Sequence, residues 1–172
     1  MLGTYILNLL LLFLYPQQDT LKDFRHQLSR DIQRNLRLPP ETDSAGKCYH
    51  YTELLKVTIN EKSHIVTIEF SDSAPQWLIN DLQVQKDKKR IDLVKLDSIA
   101  KKAGFKNHIL IFPFIIESDD FPCGSEKKIR RYSQNYFKFK GQDLKGKIIF
   151  GEEIKAVIPT RYLKKKENNS TE

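Results

Sequence analysis

Hydrophobic and polar positions along the chain change rhythm several times, and each change suggests an element. Tyr5-Ile-Leu-Asn-Leu-Leu-Leu-Leu-Phe-Leu-Tyr15 is apolar on all sides and stops at Pro16-Gln17-Gln18. Its length is that of a signal-peptide core and falls short of the ~20 apolar residues that span a bilayer. Leu21, Phe24, Leu28, Ile32 and Leu36 then recur at three- and four-residue steps with Arg25, Arg30, Asp31 and Arg34 between them, which predicts an amphipathic helix. Thr20 with Asp23 resembles a capping box at its start, and Pro39-Pro40 forbids its continuation.

The rhythm next becomes alternating. Leu55, Val57 and Ile59 alternate with polar residues, as do Val66, Ile68 and Phe70, and Asn60 to Ser63 supplies the turn. This predicts an antiparallel hairpin with those six side chains on one face, in need of a helical cover. Ser71-Asp72-Ser73 offers capping oxygens, with Pro75 in the first turn of a helix over Gln76 to Leu82, whose Trp77 and Leu82 point to the core. Lys86 to Arg90 reads as a charged loop. Asp92 to Ala103 carries Leu93, Leu96, Ile99, Ala100 and Ala103 at helical spacing, with Lys101 and Lys102 in the last turn and Gly104 as the stop. Ile109 to Ile116 is a strand, and Pro113 inside it, lacking an amide donor, predicts an edge or a bulge.

That order of elements resembles the C-terminal domain of TonB-type proteins, in the divergent form found in envelope proteins of Bacteroidetes-like bacteria. The carriers are a helix ending in Leu36-Arg37-Leu38-Pro39, the hairpin Leu54 to Phe70 followed by Ser71-Asp72-Ser73, a long helix, and the strand Ile109 to Ile116. The resemblance implies a three-stranded antiparallel sheet with helices on one face, a periplasmic location, and a free sheet edge that receives an extended peptide by strand addition. The residues of that expected edge are Ile109, Ile111, Pro113 and Ile115. Only Pro16 to Asp19 separates the apolar start from the first helix. A chain of ~4 residues reaches at most ~14 Å, so energy transduction across a periplasm is not expected.

Composition refines this picture. From Met1 to Gly124 there are 16 basic and 16 acidic side chains; from Ser125 to Glu172 there are 13 and 6, which carries the whole excess of +7. The basic character therefore belongs to a C-terminal extension. Within it Tyr136 to Lys140, Lys147 to Phe150 and Ile154 to Ile158 are β-like and predict one or two added strands, whereas Arg161 to Glu172 reads as a disordered tail. The expected organisation is a signal peptide or short membrane anchor over 1–19, an α+β domain over 20–118, a basic extension over 119–160 and a tail over 161–172.

Candidate chemistry is sparse. If the chain is exported, Cys48 and Cys123 could form a disulfide worth roughly 4 kcal/mol in the loop-entropy model; in a reducing compartment they are two separate thiols. His26, His50, His64 and His108 stand apart, without metal-ligand spacing, and no P-loop, G-x-S-x-G or G-x-G-x-x-G occurs. Asp119-Asp120 and Glu152-Glu153 are adjacent carboxylates that read as exposed turns. No catalytic residue, metal or cofactor is expected. The sequence thus suggests a non-catalytic envelope module that binds a protein or peptide, with the membrane as a further partner if the apolar start is retained. The alternative is a basic nucleic-acid-binding protein using Lys127, Lys128, Arg130 and Arg131 with Tyr132, Tyr136 and Phe137 as stacking rings.

Overall fold

The computed structural model describes residues 2–37, 50–118 and 136–158. Its elements are α1 (Leu2–Asn35), β1 (His50–Ile59), β2 (Ile65–Phe70), α2 (Gln76–Asp87), α3 (Leu93–Lys102), β3 (His108–Ser118), β4 (Lys138–Phe139), β5 (Gln142–Asp143), β6 (Lys147–Phe150) and β7 (Ile154–Ile158). The domain is α+β. Three helices cover one face of a five-stranded sheet, and the β4–β5 hairpin covers part of the other.

The helix expected after the apolar start is not separate from it. α1 runs without interruption from Leu2 through Pro16 and Thr20 to Asn35, so Thr20 lies inside a helix rather than at its cap. Pro16 removes one amide donor, but leucine-rich turns precede it and a firmly docked segment follows. Phe24, Leu28 and Ile32 are fully buried, as their spacing predicts. Asp31, expected on the wet face, is buried as well. Its carboxylate accepts from the Gln27 side chain at 2.9 Å and from the Asp92 backbone N–H at 3.0 Å, tying α1 to the start of α3. Asp92 in turn caps α3 by accepting from the Lys95 N–H, and Gly104 stops that helix at φ +68°.

The hairpin forms with one shift of register. Leu55 faces Phe70 and Val57 faces Ile68, but Ile59 faces Ile65 across a bulge, which leaves Val66 60 % exposed and gives Ile65 its expected place. The turn manages without glycine. Ser63 adopts φ +63°, and the Asn60 side-chain oxygen accepts from the Lys62 and His64 N–H groups, each at 2.9 Å. α2 is longer than expected and takes in Lys86 and Asp87; Pro75 is its N-cap rather than part of its first turn, without a side-chain cap. The loop is therefore confined to the residues after Asp87. Ser71, Asp72 and Ser73 serve other partners, described below.

The sheet order is β2-β1-β3-β6, with β7 also pairing β3. β1 pairs antiparallel with both β2 and β3, whereas β6 and β7 run parallel to β3, so the sheet is mixed rather than wholly antiparallel. β3 is accordingly central, and Ile109, Ile111, Pro113 and Ile115 do not form an edge. Pro113 is tolerated there for a specific reason. Gly151 N–H donates to the Ile111 carbonyl at 2.8 Å, so the backbone groups of Ile111, and of Pro113 two residues on, face β6 and β7. Pairing on that side stops at Ile111 opposite Phe150 and resumes at Phe114 opposite Ile154. The one β3 residue without a donor stands in the gap between two strands.

Two cores result. The larger lies between helices and sheet, where Phe112 stacks on Phe24 at 6.3 Å and Phe70 meets Phe114 edge-on at 5.1 Å. The smaller joins Leu54 and Ile111 on the opposite face to Tyr136 and Phe139. Gly151 touches the larger core: a Cβ there would stand 2.3 Å from a ring carbon of Phe112. Because that ring is fully buried, Gly151→Ala is expected to destabilise the domain by about 1–3 kcal/mol, measured by denaturant unfolding.

Candidate partner-binding edge and adjoining cleft

With β3 in the centre, the outer strands are the places where a partner backbone could add. Among the described residues β2 ends the sheet on one side. Ser71 N–H donates to the Leu54 carbonyl at 2.9 Å, so Leu54, Lys56 and Thr58 direct their backbone groups to β2. Their partners Glu69 and Thr67 point inward, and by alternation Ile68 and Phe70 direct N–H and C=O away from the sheet. Lys86 of α2 reaches over this edge, its ammonium 3.5 Å from the Ile68 carbonyl. At the near end the Asp97 carboxylate of α3 accepts from the Ile65 N–H at 2.7 Å and pairs with His64 Nδ1 at 2.8 Å. A bulge, an overhanging lysine and a capped end are devices by which natural edge strands avoid indiscriminate pairing.

The opposite border is less open. Gln33 of α1 donates to the Lys155 carbonyl, and Arg25 donates to the Glu153 carbonyl at 3.0 Å while pairing with Glu152 at 3.0 Å. α1 thus closes the border beside β7. β6 is four residues long, and Lys147 lies exposed at its start.

A cleft of about 620 Å³ opens where the β4–β5 hairpin lies over the second sheet face, lined by Lys56, Thr58, Ile109 and the Gly141–Lys145 segment. Lys56 pairs with Glu69 at 2.6 Å and lies over the Phe139 ring at 4.5 Å; Lys140 reaches the other Glu69 oxygen at 3.2 Å. Burial alone would push the Glu69 carboxyl up, but the two ammonium groups together outweigh it and hold that carboxyl below its ordinary range. The hairpin turn is held from below. Lys140 and Gly141 both have positive φ, and their N–H groups donate to the two oxygens of Asp72, each at 2.7 Å. Neighbouring Ser73 donates to the buried Glu53 carboxylate at 2.7 Å, and Ser71 lies 3.0 Å from Ser73. The oxygens that the sequence offered as helix caps therefore bind the extension and β1.

Asp81 is buried beside Gln85; desolvation pushes its carboxyl up, against the opposing influence of Gln85, Arg37 and Arg90. His26 is exposed, and His108 bonds to the Lys106 backbone. Among the described residues no group of three or more His, Cys, Asp or Glu could hold a metal ion. Of the proposed stacking rings, Tyr136 is buried in the smaller core, Phe137 is 53 % exposed, and Tyr132 lies outside the described residues. Cys48, Cys123, Asp119, Asp120, Lys127, Lys128, Arg130, Arg131 and the tail over 161–172 also lie outside them. The edge of β2 and the Lys56, Glu69, Lys140 cluster escaped sequence reading because strand alternation shows which residues share a face, whereas only register and topology show which strand ends the sheet.

The Glu69 cluster yields a pH prediction. A carboxyl whose folded pKa is depressed contributes stability above its unfolded pKa and loses it as pH falls through the folded value. Unfolding of the parent and Glu69→Gln proteins across pH 2–7, an order-of-magnitude window for carboxyl titration, is expected to show the parent's advantage at neutral pH disappearing at the acid end.

No protein-family model, curated protein or solved structure matches this chain.

Proposed function

We propose that the domain is a non-catalytic interaction module of the cell envelope that takes an extended peptide segment along the outer edge of β2. The observation that carries this reading is the outward direction of the Ile68 and Phe70 backbone groups on a strand that ends the sheet among the described residues. A peptide backbone added there would exchange main-chain hydrogen bonds for affinity and use alternate side chains for selection. The helix, hairpin, helix, strand order that resembles TonB-type C-terminal domains supports the same mode of binding, and the apolar start supports the envelope setting. The receiving edge in this proposal is β2 rather than the expected Ile109 to Ile116, because β3 is paired on both sides.

Backbone amide exchange tests the idea at residue level. In the free domain the Ile68 and Phe70 amides are expected to exchange at least about tenfold faster than those of Thr67 and Glu69, which face β1. A binder selected from a library of displayed linear peptides is expected to slow Ile68 and Phe70 selectively. A selected peptide that leaves both amides unchanged would remove β2 as the binding edge.

A further inference from the structure

We propose that the cleft beneath the β4–β5 hairpin binds a small organic monoanion, a carboxylate or sulfonate with an apolar body, its acidic group on Lys56 and Thr58 and its body against Ile109 and Leu144. The site is separate from the peptide-binding edge, which uses the outward backbone of β2. At about 620 Å³ the cleft falls within the ~300–1,000 Å³ of pockets that enclose small molecules. Its lining divides by chemistry. Ile109 and Leu144, which pack against the smaller core, offer apolar surface, whereas Lys56 and Thr58 bring polar groups from β1. Thr58 stands directly opposite Ile109 in the β1–β3 register, so the two kinds of surface lie side by side.

The polar groups are donors already held in place. Only 15 % of the Lys56 side chain is exposed; its ammonium pairs with Glu69 at 2.6 Å and lies 4.5 Å from the centre of the Phe139 ring. An ammonium has three N–H donors, and the Glu69 bond takes one. Thr67 Oγ1 donates to Thr58 Oγ1 at 3.0 Å, so the Thr58 hydroxyl keeps its own hydrogen for an acceptor. Charge then favours an anion. Glu69 is shared by Lys56 and Lys140, Asp143 stands opposite Lys138 across the hairpin, and Asp72 is spent on the N–H groups of Lys140 and Gly141. Lys145 adds an exposed cation to the lining, so among these described residues four ammonium groups stand against three carboxylates. One further negative charge balances the set, and a half-desolvated ammonium holds it more strongly than a fully hydrated one.

The test is titration of the isotope-labelled full chain with anilinonaphthalene sulfonate, followed by nuclear magnetic resonance. Phenylnaphthylamine, which has the same aromatic body without the sulfonate, is the comparison. Saturable shifts are expected at the Thr58, Ile109, Gly141 and Leu144 amides, with the sulfonate bound at least about tenfold more tightly than the neutral compound. Lys56→Met is expected to lose about tenfold for the sulfonate while holding the neutral compound as the parent does. Lys145→Gln, which alters an exposed side chain, is expected to lose about threefold for the sulfonate and decides the matter if the Lys56 variant does not fold. Shifts that leave those four amides unmoved at saturation overturn the inference. Equal affinity for the two compounds overturns it as well, as does parental affinity for the sulfonate in a folded Lys56→Met protein or, where that protein does not fold, in Lys145→Gln.

Discussion

The structure depends on how β3 satisfies its backbone while buried. Its side chains serve both cores, and its polar groups must find partners on two sides. β1 supplies one side along ten residues; β6 and β7 share the other, in two pieces separated by a short connection. Pro113 sits where that connection passes. The arrangement reconciles a proline with a central strand, and it places Gly151 against Phe112, where a side chain would collide with the ring. From that constraint follow the mixed sheet and the close approach of Gly151 and β7 to the larger core.

The described part of the extension, residues 136–158, consequently packs into the domain. Ile154 and Ala156 enter the larger core, while Tyr136 and Phe139 build the smaller one. Polar contacts fasten the intervening hairpin: Asp72 holds the Lys140–Gly141 turn, and Glu69 gathers Lys56 and Lys140. Lys140, one of the basic residues of the extension, thus has a specific partner. Lys155 is a further example, paired with Glu117 across neighbouring strands.

α1 joins the two ends of the molecule's architecture. Its docked half contributes Phe24, Leu28 and Ile32 to the core and closes the β7 border with Gln33 and Arg25. One helix therefore protects one border of the sheet while β2 remains at the other.

Periodicity alone determined much of the local structure. The three-four spacing from Leu21 to Leu36, the alternation in Leu55–Ile59, and the helical spacing from Leu93 to Ala103 with its Gly104 stop all translate directly into elements, because those patterns report which side of a helix or strand avoids water. The α+β class was legible for the same reason. The exposure of Val66 was not, since a one-residue bulge reverses a side chain without changing the composition of the strand. Nor was the central position of β3: Pro113 argued locally for an edge, and only a gap between β6 and β7, strands contributed by residues more than thirty positions later, makes the missing donor harmless. Local chemistry determines what each segment prefers; which strand is left at the border is decided by long-range pairing, because hydrogen bonds between strands join segments that sequence order does not connect.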